Sequence, residues 1–241
     1  MSPGLASFLV AALMSFSVLS ACLGTGALLL GARRAGMAPG SVAAPIAVTW
    51  LALIAYVVAA RSGVFLWGYG SPLSALVVAY FGGGAAVMGW SLGAPTLARV
   101  VATFGLPSLI GIQAFRVIGG TLLLLHHQRL LPDYFALTVG WGDVTAGVTA
   151  PVVALVARAR VRGWWTLCAL WTAYATGDLF HSAIAATLSS DTPLRLLPLL
   201  PAVLGEFPMI LLIVYLVPFA LCFCLATALK LRQEARSLSS A

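Results

Sequence analysis

Polar positions in this chain are rare interruptions of long apolar runs. Seven such runs, each of about 20 residues or more, cover roughly 5–31, 41–60, 72–92, 101–126, 134–157, 163–188 and 206–229. About 20 apolar residues in helical form cross the hydrocarbon core of a bilayer. The runs do not alternate apolar and polar positions in short segments, as the strands of a membrane β-barrel would. The connections between them are short. The pattern therefore predicts one domain over 1–241, an all-α integral membrane bundle of seven transmembrane helices.

Composition agrees and charge adds direction. The chain is 61% apolar and 8% charged, against roughly 25% charged in soluble domains. Its net charge is +7, but the basic residues sit between the runs, where they set orientation. Arg33, Arg34, Arg99, Arg158, Arg160, Arg162, Lys230, Arg232 and Arg236 fall on one side, and Arg61, Arg129 and Arg195 on the other. Nine against three places the N-terminus outside and the C-terminus in the cytoplasm. Membrane lipids are then the expected partners and nucleic acid is not. Arg158, Arg160 and Arg162 read as an anchor at the membrane surface.

Several local features fit the same plan. Leu19-Ser20-Ala21-Cys22 resembles a lipoprotein cleavage box, but no basic residue precedes it and the apolar run continues to Gly31. An uncleaved first helix is expected, because a signal peptide needs a basic start and a shorter core. Trp164, Trp165, Tyr134 and Phe135 fall at run ends, where aromatic belts lie. Gly82, Gly83, Gly84, Gly89 and Gly93 favour close helix packing in the third span over a locally broken helix lining a cavity. Cys22, Cys168, Cys222 and Cys224 all lie in apolar runs and read as small packing residues. No metal-ligand set and no cofactor is expected.

The candidate chemistry lies in three runs. In the fourth, Gln113, Arg116 and Gly120 are spaced i, i+3 and i+7, with His127 on the same stripe. The fifth carries Asp143, with Gly140, Gly147 and Ala150 on its face, so that a neighbouring helix or a ligand can come close. The sixth carries Trp171, Tyr174, Asp178 and His181 on one stripe. At about 1.5 Å per residue, these groups fall between the midplane and the outer face, and Glu206 starts the seventh run at the surface. Charges at helix centres cost about 2.5–3.5 kcal/mol each on the insertion scale, so three unpaired ones would cost roughly 8–10 kcal/mol. Arg116 between Asp143 and Asp178 is therefore the expected arrangement. One negative charge is left over, for a proton, a cation or His181 to balance.

Gln113-x-x-Arg116-x-x-Gly119-Gly120, Phe135-Ala136, Gly140-Trp141-Gly142-Asp143, Ala150-Pro151, Gly177-Asp178-Leu179, Leu188-Ser189-Ser190, Pro208 and Val217-Pro218 together resemble a family of uncharacterised bacterial membrane proteins. The resemblance covers roughly 110–232. It implies the architecture and the importance of Arg116, Asp143 and Asp178, and no activity. Thr138-Val139 stands where the pattern has Pro-Ala, and His181 where it has an aliphatic residue. In size and plan alone the chain is also similar to the Pyr4-like membrane terpene cyclases.

Some classes drop out. Lys230 lies at the end of the last run, not inside it, so no retinal linkage is expected. No His-Glu-x-x-His pair occurs. His127 and His181 could face one haem, but histidines at helix ends are more often interfacial. Three readings remain. The first is a pocket for a small or amphiphilic ligand, bound or transported, formed by Gln113, Arg116, Asp143, Tyr174, Asp178 and His181. The second is a lipid or isoprenoid enzyme with Asp143 or Asp178 as general acid. The third is an accessory subunit whose ion pairs are structural. Oligomeric state is not legible.

Overall fold

The computed structural model describes residues 3–66, 82, 94–189 and 195–239. Among them every regular element is helical. Helix α1 (Pro3–Arg34) is followed by a 3-10 turn, Pro39–Val42, that leads into α2 (Ala43–Arg61). The short α3 (Pro95–Ala102) precedes α4, a composite helix over Leu106–His127. Then come α5 (Asp133–Ala159), α6 (Trp164–Leu188) and α7 (Val217–Ser239), the last entered through a π-helical turn, Leu212–Leu216.

Five of these stretches are long and apolar enough to cross a membrane: Pro3–Arg34, Pro39–Arg61, Leu106–His127, Asp133–Ala159 and Leu212–Arg236. The expected third span, 72–92, lies outside the described residues apart from Gly82. The expected sixth span forms α6, a full 25 residues, yet it is not among the five. Tryptophans, Tyr174, Asp178, His181 and hydroxyls dilute its apolarity.

Two span starts differ from expectation. The fourth does not begin at 101: the chain turns at Thr103 and Phe104, Gly105 is extended, and a new helix starts with Pro107 in its first turn. Proline has no N–H to give and is tolerated there. The seventh does not begin at 206: Glu206 is an exposed bend residue, and the chain becomes helical at Ile210. Within it, Val217 N–H bonds the Leu212 carbonyl, five residues back. Pro218 follows and cannot donate the next ordinary helical bond, which accounts for the wider turn.

Helix α5 is the hub. It packs most extensively on α4 and α6, while α6 also packs on α7 and α1 pairs with α2. The core is aliphatic, with Leu9, Leu13, Ile110, Leu125, Ala146 and Ala150 fully buried or nearly so. Four of the basic residues assigned to one side make contacts between the ends of α1, α3, α5 and α7. Arg34 lies over the Phe104 ring, Arg99 reaches the Ala35 carbonyl, Lys230 donates to the Ala102 carbonyl, and Arg160 pairs with Glu234. Arg61, from the smaller set, lies over Phe207 elsewhere.

Candidate functional site: a buried arginine between two aspartates

The middle of α4 is not α-helical. Ile112–Gly119 forms a 3-10 helix, with about three residues per turn. Its line of neighbours is therefore Gln113, Arg116 and Gly119, not Gln113, Arg116 and Gly120 as α-helical spacing predicts. Gly119 lies directly against Asp143: a methyl group there would fall 2.8 Å from Asp143 Oδ2 and overlap its Cβ. Gly120 faces Val144 instead.

Arg116 is 2% exposed and lies between the two aspartates. Its Nε donates to Asp143 Oδ1 at 2.8 Å, and one terminal nitrogen donates to Asp178 Oδ2 at 2.6 Å. The other terminal nitrogen donates to the Ala175 carbonyl at 2.8 Å. All three guanidinium nitrogens are thus bonded inside the protein. Charged hydrogen bonds of this length are roughly twice as strong as neutral ones, which offsets the desolvation of burying the charges. The cluster joins α4, α5 and α6 at one point.

Glycines make the approach possible. A Cβ at Gly142 would overlap the Asp178 carboxylate, and one at Gly147 would lie 2.6 Å from the Val117 nitrogen. The small face of α5 therefore admits its neighbouring helices rather than a ligand. The space beside the cluster is a cavity of about 10 Å³, lined by Arg116 and Asp143 together with Ile118, Leu179, Leu212 and Ala220. That is about the room one water needs, far below the hundreds of cubic ångströms of a ligand pocket.

The other expected members stand apart. Gln113 is fully buried, but its amide nitrogen reaches α7, at the Ala220 carbonyl (3.4 Å) and Cys224 Sγ (3.1 Å). Tyr174 is 43% exposed and donates to the Gly142 carbonyl at 3.3 Å. His181 does not balance the cluster: its Nε2 is 3.3 Å from the Tyr134 hydroxyl. His127 is exposed at the end of α4, while His126 pairs with Asp133 at 3.0 Å. Trp171 donates to Thr149 at 2.9 Å. The polar stripe of α6 is thus a seam along α5, in which Asp178 alone also reaches Arg116. Removing the Tyr174 hydroxyl takes away one long bond to a carbonyl that sits inside a helix. Tyr174→Phe is expected to cost less than about 1 kcal/mol, measured as a small change in the thermal midpoint in detergent.

Sequence reasoning missed the Ala175 carbonyl, the Gly119 contact and the π turn beside the cavity. Gly119 could have been found, because Gly119 lies three residues after Arg116, one turn of a tighter helix. Carbonyl partners carry no signal in the side-chain pattern. Among the described residues no group of three or more histidine, cysteine or acidic residues is placed to hold a metal ion.

Fold and site together define an all-helical protein with membrane-length apolar helices, tied at its centre by a buried three-membered ion cluster. A family model matches residues 71–232, more than half of the chain, and the chain belongs to that family, described as a domain of unknown function, DUF8737. The match includes all three members of the cluster. No curated protein and no solved structure matches the chain.

Proposed function

We propose that the chain is a multi-pass protein of the bacterial inner membrane, with seven spans, its N-terminus outside and its C-terminus in the cytoplasm. In this reading it serves as a scaffold or accessory subunit, and Arg116, Asp143 and Asp178 are the staple of its bundle. One observation carries it: every guanidinium nitrogen of Arg116 is bonded within the protein, and the adjoining space is the size of one water. Three of the five N–H donors of Arg116 are spent on these bonds, and the space beside it is far too small for a ligand. The count of nine Lys and Arg against three supports the orientation, since cytoplasmic loops carry the excess of Lys and Arg.

Orientation is checked by single-cysteine labelling in a background with all four native cysteines replaced. A cysteine at position 162 should react with a membrane-impermeant maleimide only from the cytoplasmic side, and one at 129 only from outside. The opposite result would invert the topology.

A second reading, binding of a small or amphiphilic ligand, is favoured by the π turn, because Leu212 and Leu216 wall the cavity and such turns recur at functional sites. Binding would require that turn to rewind and widen the cavity. Lipid and metabolite mass spectrometry of the purified protein separates the two readings. A stoichiometric ligand lost in Asp143→Asn supports binding, and its absence supports the staple.

A further inference from the structure

The cluster holds two carboxyl groups and one guanidinium, and Arg116 engages only one oxygen of each, Asp143 Oδ1 and Asp178 Oδ2. Asp143 Oδ2 and Asp178 Oδ1 are left over. With both carboxylates ionised, the core of the bundle would carry one uncompensated negative charge. His181 does not supply the balance, since it bonds Tyr134 on the flank of the seam. Among the described residues, the elements packed around the cluster add no cation besides Arg116. Helix α4 adds the neutral Gln113, α5 and α6 the two aspartates, and the π turn and α7 the apolar Leu212, Leu216, Val217 and Ala220. Cys224 lies farther along α7, against Gln113. A metal cation is a poor guest, because hard cations take about six oxygen ligands. The cavity presents one carboxylate, a guanidinium and hydrocarbon.

We propose that the cluster is a proton-binding site: one proton resides on a carboxyl oxygen that Arg116 leaves unbonded, and exchanges with water through the cavity between α4, α6 and the π turn. Uptake converts one carboxylate to a carboxylic acid and brings the cluster to neutrality, with one guanidinium and one carboxylate. Asp143 lines the cavity and its Oδ2 is uncommitted. The new O–H can donate there to a single water, which in turn relays the proton. This goes beyond the staple reading, which needs only the bonds to Arg116.

Infrared spectroscopy of the purified protein, with isotopically labelled aspartate carboxyls, tests the proposal. The expected result near neutral pH is the carbonyl band of a protonated carboxylic acid, shifted by the label and moved by transfer to heavy water. The band should disappear in Asp143→Asn or in Asp178→Asn. Either substitution leaves a neutral cluster that should still fold, and the label identifies an aspartate even without them. Two outcomes overturn the proposal: only carboxylate bands for labelled aspartate wherever the protein stays folded, or an acid band that survives in either folded variant.

Discussion

Arg116→Met is expected to destabilise the protein more than the loss of any other single side chain of the cluster. The substitution keeps much of the aliphatic volume but leaves Asp143 and Asp178 in the core without their shared cation. Both are at least nine-tenths buried, so water cannot take over the role of the guanidinium. Removing one partner of a buried ion pair costs roughly 3–5 kcal/mol, and here one substitution strips two carboxylates at once. It also frees the Ala175 carbonyl from its charged donor. Helices α4, α5 and α6 lose their common tie, and both yield and thermal midpoint in detergent should fall sharply. Asp143→Asn or Asp178→Asn should be much milder, since an amide oxygen still accepts from Arg116 and the cluster is then neutral without a bound proton. The comparison is made by fluorescence-detected size exclusion across a temperature series. Equal losses for the three variants would refute this ordering.

Gly142→Ala comes next, although it changes no charge. Its methyl group would occupy the position of the Asp178 carboxylate. Either α6 moves off α5 or Asp178 turns away from Arg116. The first opens the seam that Trp171 and Thr149 close at 2.9 Å. The second breaks the 2.6 Å bond to Arg116. Overpacking usually costs about 1–3 kcal/mol, and combined with a broken buried pair the loss should reach roughly 3 kcal/mol or more. Gly177→Ala is the control on the facing helix, because a methyl group there meets nothing within 4 Å. It should leave the thermal midpoint nearly unchanged. A Gly142→Ala protein as stable as the control would show that the close approach of α5 and α6 is not required.

The cluster itself was legible because charge is scarce. Arg116 is the one Lys or Arg inside an apolar run, and Asp143 and Asp178 are the acids deep in the two runs that follow. The energetic demand for pairing then leaves little choice of partner. His181 was misplaced by the same spacing rule that found Asp178. The two do share a stripe, but the stripe follows α5, and by position 181 it has reached Tyr134 rather than Arg116. The 3-10 stretch was not legible, since over two turns apolar spacing cannot separate 3.0 from 3.6 residues per turn. That ambiguity put Gly120 where Gly119 belongs. The break before α4 was written in Gly105-Leu106-Pro107, but continuous apolarity across it concealed the boundary. Pro218 signalled a disturbance in the last helix without revealing that it takes the form of a π turn. The cavity arises where that turn meets α4 and α6, and a single chain pattern does not encode such a junction.

Arg116, Asp143 and Asp178 matter through their bonds to one another. The most direct measurement compares thermal unfolding in detergent of Arg116→Met with that of the charge-free Arg116→Met/Asp143→Asn/Asp178→Asn protein. With the stranded carboxylates neutralised, the triple variant should recover most of the stability that Arg116→Met loses. A triple variant that unfolds as early as Arg116→Met would contradict the claim.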